Sequence, residues 1–194
     1  MNEKVISNLA KNGIEAEVVS SREEALNRIK ELVPEGAEVM TMQSVTLKET
    51  GIAELIDNSG KYDSIRNKLK SMNRETQNSH MQKLGAAPDY AIGSVHAITE
   101  DGHLFIASNT GSQLPAYAYG AQHVIWIVGK QKIVKDDNEA VRRIYDYVLP
   151  LESKRLSEDL GKDIKSNVSK LLIINKEVKP GRARVILVEE DLGF

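Results

Sequence analysis

Apolar residues recur along the chain at two alternating periods, and that alternation predicts the fold class before any chemistry is considered. Val5, Ile6, Leu9 and Ala10 fall at helical spacing and Gly13 follows, so residues 2–12 are expected to form a short amphipathic helix. IEAEVV then reads as a strand. Ser21, with Glu24 three residues later, makes a capping-box pattern, and Ala25, Ile29, Leu32 and Val33 continue an apolar stripe to Pro34 and Gly36. The short apolar run AEVMTM suits a buried strand, and TLKETGIAELID after it returns to helical spacing. YAIG, HLFIAS and HVIWIVG read as further strands. The last is apolar on both faces, which places it at the centre of a parallel sheet covered by helices. A helix is expected from Asp136 or Asp137 through Val148, ended by Pro150, and PLESKRLSEDLG reads as another helix before the strands LLIIN and RVILVEE. The alternation predicts an α/β fold, three-layer α/β/α with a mainly parallel sheet, in one domain over residues 1–194.

Residues 61–84 depart from the pattern. They are polar, basic and helical in character, with Arg66, Lys70 and Arg74 four apart on one face. The segment reads as a solvated helix, or as a ligand-closing arm or a subunit contact of a homo-oligomer.

Charge and composition narrow the function classes. The 194 residues carry a net charge of −2, so no global field draws the chain to nucleic acid or anionic lipid. MNEKVISNLAKNG has no continuous apolar core of a signal peptide and no later stretch approaches a membrane span, so a cytoplasmic protein is expected. The absence of cysteine excludes thiolate iron–sulfur and zinc sites and any thiol nucleophile. His80, His96, His103 and His123 are scattered without metal-ligand spacing, and neither GxGxxG nor GxxxxGK[ST] occurs, so no metal and no bound cofactor are expected.

Chemistry is sought beyond the carboxyl ends of the strands. Gln43, Ser44 and Thr46 follow AEVMTM, either as ligand-binding hydroxyls and amide or with Ser44 or Thr46 as a plain N-cap. Asn109, Thr110, Gly111 and Ser112 follow HLFIAS, a polar turn in which Gly111 allows close backbone approach, or an ordinary loop. These two turns are expected to converge on one cleft, as both follow strands assigned to the same parallel sheet. The third stretch runs from Gly93 to Gly102 and joins two strands, with Ser94 and Thr99 as ligand-binding candidates. Glu100 is its candidate catalytic carboxylate, although Glu100-Asp101-Gly102 is also a turn signature. Lys132, just after HVIWIVG, is expected to reach the same rim and favour a small anionic ligand, or to be a surface lysine.

GSVHAITEDGHLFIASNTGSQLP, VIWIVGKQKIVKDDNEAVRRI, PLE and PGRARVILVEEDLGF occur in an order that resembles the LUD (lactate-utilisation) domain family. The resemblance implies a NagB/RpiA/CoA-transferase-like fold, similar to ribose-5-phosphate isomerase, CoA transferases and 5-formyltetrahydrofolate cyclo-ligase. It also implies a phosphate-holding loop at Met42 through Thr46, here without the glycines of the isomerases. The family takes its name from bacterial operons that oxidise L-lactate to pyruvate beside iron–sulfur subunits. The expected role is thus an accessory, small-anion-binding subunit of lactate or related organic-acid utilisation with separate iron–sulfur partners. An independent isomerase, CoA-transferase or cyclo-ligase-like enzyme and a non-catalytic scaffold are the alternatives.

Overall fold

The computed structural model describes residues 2–194. Helix α1 (Asn2–Lys11) leads to β1 (Glu15–Val19), α2 (Arg22–Leu32) and β2 (Glu38–Thr41). Two short helices, α3 (Val45–Glu49) and α4 (Ile52–Asn58), precede β3 (Asp63–Ser64), α5 (Ile65–Ser71) and α6 (Arg74–Ala86). Strands β4 (Tyr90–Gly93), β5 (Ala97–Thr99) and β6 (Leu104–Ser108) follow, then a π-helical turn, Ala116–Gly120, and β7 (His123–Gly129). A 3-10 turn, Lys130–Lys132, joins β7 to β8 (Ile133–Val134). Helix α7 (Asp137–Arg143) passes through a second π turn, Ile144–Val148, into α8 (Leu149–Leu160), and β9 (Lys170–Ile174) and β10 (Ala183–Val188) end the order.

Six strands form a wholly parallel sheet in the order β1-β10-β7-β4-β2-β3. Alternation along β7 explains its central place. Val124, Trp126 and Val128 are buried on one face and Ile125 and Ile127 on the other. The second face is covered by Ala25 and Ile29 of α2, Leu47 of α3, and Ile52 and Ile56 of α4. Helix α2 starts at Ser21, whose hydroxyl accepts from Glu24 N at 3.3 Å. Glu24 returns to Ser20 N and Oγ, so the reciprocal half of the cap lies one residue earlier than the sequence pattern places it.

The architecture is the expected three-layer α/β/α with a mainly parallel sheet, and on the first face a helix shares the cover with strands. Val5 and Leu9 of α1 pack there, together with Ile98, Leu104 and Ile106 of a second, four-stranded sheet of order β8-β5-β6-β9. HLFIAS and LLIIN thus form β6 and β9 of a mixed sheet, where β6 runs antiparallel to both β5 and β9. The far side of this sheet, through Ala97 and Phe105, packs on Ala140 and Ile144. A short apolar run buried on both sides looks the same in either sheet, so its composition could not assign it to one.

Two helix expectations change as well. Pro150 does not end a helix. It sits in the first turn of α8 just after the π turn, a position at which a missing amide donor is tolerated. The basic segment breaks at Asn73, which caps α6 by accepting from Glu75 N at 2.8 Å. Arg74 therefore belongs to a different helix from Arg66, and Arg66 turns inward to donate to Thr41 O at 3.1 Å.

Near the start of β10, Arg182 fixes the first π turn. Its guanidinium donates to the carbonyls of Ala116, Tyr117 and Ala121 and pairs with Glu177 at 2.6 Å, with both side chains largely buried. Arg182→Met leaves the Glu177 carboxylate and three carbonyls without this donor. It is expected to cost about 3–5 kcal/mol in urea denaturation; a loss below about 1 kcal/mol would show that the clamp is dispensable.

Candidate functional site

Parallel alignment brings the carboxyl ends of β2, β4, β7 and β10 to one edge of the large sheet. The chain leaving β7 turns back at once. Gly129 permits this, since a Cβ there would lie 2.3 Å from Gln131 Oε1 and 2.6 Å from Leu192 N. The turn carries Lys132 inward until only 2% of it is exposed. Its Nζ donates to Thr46 Oγ1 at 3.0 Å and to Ser94 Oγ at 3.1 Å. Thr46 in turn donates to Leu192 O at 3.2 Å.

Leu192 and Gly193 pack across this edge. Gln131 donates to Leu192 O and Gly193 O and accepts from Leu192 N, and Gly193 N donates to Glu49. The segment packs over Thr46, one of the two hydroxyls that hold Lys132. An ammonium has three donors and two are used here. No carboxylate lies within ion-pair distance of Lys132 among the described residues. Burial, helped by the Arg143 charge and opposed by Glu49, pushes the amine down to about 7.

His96 lies near the same charges. Its Nδ1 accepts from Ala107 N at 3.1 Å, which leaves the ring proton on Nε2. Burial and the neighbouring Lys132 and Arg143 charges hold it well below its ordinary value, so it stays neutral at physiological pH. The floor of the edge is Tyr117 against Trp126, ring centroids 5.5 Å apart, and Gly93 is bare because a Cβ would strike the Tyr117 hydroxyl.

Of the residues singled out in the sequence, Thr46, Ser94 and Lys132 come together, and Lys132 is not a surface lysine. Ser44 caps α3, accepting from Leu47 N at 3.4 Å, and Gln43 is exposed. Thr99 Oγ1 accepts from His103 N and closes the β5–β6 turn. Asn109, Thr110, Gly111 and Ser112 follow β6 of the mixed sheet, so the premise of a shared parallel sheet fails. Their hydrogen bonds stay within the loop or reach Ser169, and the Lys170 side chain packs against Gly111. Glu100 lies at the far end of the β5–β6 hairpin and is bound to Lys4 at 2.6 Å. That bond first, and the Lys4 charge with it, lowers the carboxyl below its usual range, and Lys132 is not among the charges acting on it. A carboxylate so placed is a fastening for α1, with Asn8 donating to its carbonyl at 2.9 Å.

A family profile, the LUD domain, matches residues 2–188. The chain belongs to the LUD-domain family. A DUF162 family protein from Deinococcus radiodurans, with a crystal structure at 1.70 Å resolution, shares the fold of this LUD domain with a TM-score of 0.59 at 12% identity, over 96% of this chain and 95% of that one. A search of curated proteins finds no match. No helix among the described residues of the LUD domain is long and apolar enough to cross a membrane.

Reasoning from sequence missed His96, Gln131 and Arg143. The only available signal was the chain neighbourhood of His96 to Ser94 and of Gln131 to Lys132, since nothing in a sequence shows that a cation will lack a counter-charge.

The burial of Lys132 has a measurable cost. A folded value near 7 against 10.5 corresponds to on the order of 5 kcal/mol. Between these pH values the unfolded chain holds a proton that the folded chain has released, so stability rises with pH across the window, and below about 7 the cost is fully present. Lys132→Met is therefore expected to be more stable than the parent by roughly 1–3 kcal/mol at pH 7, with the difference shrinking by pH 9. Denaturation at the two pH values checks this; a variant less stable at pH 7 would refute it.

Proposed function

We propose that this LUD domain is a small-anion-binding subunit of lactate or related organic-acid utilisation. The observation that carries the reading is the buried Lys132 ammonium, held by two hydroxyls at the carboxyl edge of a parallel sheet with a donor to spare and no counter-charge. Such a position favours a ligand that brings negative charge. Family membership supports the metabolic setting. The reading gives electron transfer to separate iron–sulfur partners, in keeping with a chain that lacks cysteine, and places the protein in the cytoplasm. Kinship to ribose-5-phosphate isomerase, CoA transferases and the cyclo-ligase belongs to the same proposal.

One observation favours a second reading, an independent acyl-transfer enzyme of the CoA-transferase or cyclo-ligase kind. A lysine near pH 7 is partly unprotonated, and at 3.1 Å from Ser94 Oγ it is placed to take that hydroxyl's proton. Labelling of Ser94 by a fluorophosphonate, lost in Lys132→Met, would support this reading. No labelling would leave the binding reading alone.

The binding reading predicts a pH dependence. L-lactate and pyruvate, titrated calorimetrically, are expected to bind the parent and to lose affinity above about pH 7, towards tenfold per unit, as Lys132 gives up its proton. The other charged or titratable groups around the amine are Arg143, whose charge lowers it, Glu49, whose charge raises it, and His96, which stays neutral. Lys132→Met should abolish binding. Affinity unchanged by the substitution and flat from pH 6 to 9 would end the proposal.

A further inference from the structure

A second cation near Lys132 also lacks a counter-charge. Arg143 is the last residue of α7, where the helix widens into the π turn Ile144–Val148, and such turns recur at functional sites. Its guanidinium carbon stands 4.9 Å from the centre of the Tyr147 ring, which anchors one face of the group. Its Nη1 is buried and has no hydrogen-bond partner. No carboxylate reaches ion-pair distance of Arg143 among the described residues, although Glu139 and Asp146 line the same cleft. That cleft also includes Gln131, the neighbour of Lys132 in the chain.

Two like charges, one buried and the other half-buried, that act on one another raise the energy of the folded chain. An unsatisfied guanidinium donor adds to that cost. His96, the third basic group acted on by both, is neutral and supplies no compensation. A single anion would relieve all of these costs.

We propose that Lys132 and Arg143 together seat the carboxylate of a small organic acid, with the spare ammonium proton and Arg143 Nη1 as its donors. This rests on the reading that the Lys132 site takes an anion, and adds the second donor and the ligand class. Two cationic donors match the two oxygens of a carboxylate. A phosphate needs a denser cradle of backbone donors, and here two amides of α3 are already engaged, Leu47 N with Ser44 Oγ and Lys48 N with Ser44 O.

The test uses the full chain, with L-lactate, pyruvate and inorganic phosphate as probes. The carboxylates are expected to bind the parent and phosphate to bind at least tenfold more weakly. Arg143→Gln should weaken pyruvate binding tenfold or more. In the parent itself, pyruvate should shift the Arg143 side-chain nitrogen resonances, a readout that holds even if the variant fails to fold. Pyruvate binding at full strength to Arg143→Gln but not to Lys132→Met would overturn the two-cation seat and leave the anion-binding reading standing. Phosphate binding more tightly than either carboxylate would overturn the ligand class. No binding of any probe to the parent, or pyruvate binding at the parent's strength by both variants, would overturn both.

Discussion

The structure depends on the burial of β7 from both sides. A strand with apolar side chains on both faces is stable only when both are covered, and its parallel neighbours β10 and β4 follow the same rule with Val185, Leu187 and Ala91 on one face and Ile186, Val188 and Ile92 on the other. Parallel pairing then aligns the strand ends. The same constraint that fills the core therefore collects the exits of β2, β4, β7 and β10 at one edge, which is where Lys132, Thr46, Ser94 and the Leu192–Gly193 segment meet. The site follows from the sheet.

At that edge two principles of burial conflict. Thr46, at the core, and Ser94, part-buried, satisfy two of the three lysine donors, yet nothing neutralises the charge. The result is a lysine near neutrality and a histidine held neutral beside it, both shifted by the same loss of water and by each other's surroundings. A purely structural core would be more stable with an apolar residue at position 132. An uncompensated buried cation in a region otherwise so well bonded is the kind of local inconsistency that marks function over stability.

What the sequence disclosed tracks how local the governing interaction is. The centre of the sheet was legible because HVIWIVG carries its own burial pattern, and the start of α2 was legible because Ser21 and Glu24 act within one turn. Strands β6 and β9 were misassigned, since partner choice is a long-range matter that LFIAS and LLII do not encode by period. Pro150 misled because the π turn before it removes the usual conflict with the helix ladder. Within the site, Thr46, Ser94 and Lys132 were found through strand ends and motif order. Arg143 was not, because an arginine in the last turn of a helix is ordinary there, and only its missing partner sets it apart. Glu100 drew attention as an acid at a strand end, but its real partner is Lys4, 96 positions away.

The order β1-β10-β7 also constrains biosynthesis. β1 is an edge strand whose neighbour in the sheet is β10, so a segment made early has no strand to pair with until one made late has left the ribosome. β10 must then insert between β1 and β7, a pairing that spans nearly the whole chain and belongs to the slow, high-contact-order class of folding events. Until that moment the apolar flanks of β7 lack a neighbour on one side, and the nascent protein is most exposed to aggregation or chaperone capture while β10 is still missing from the sheet.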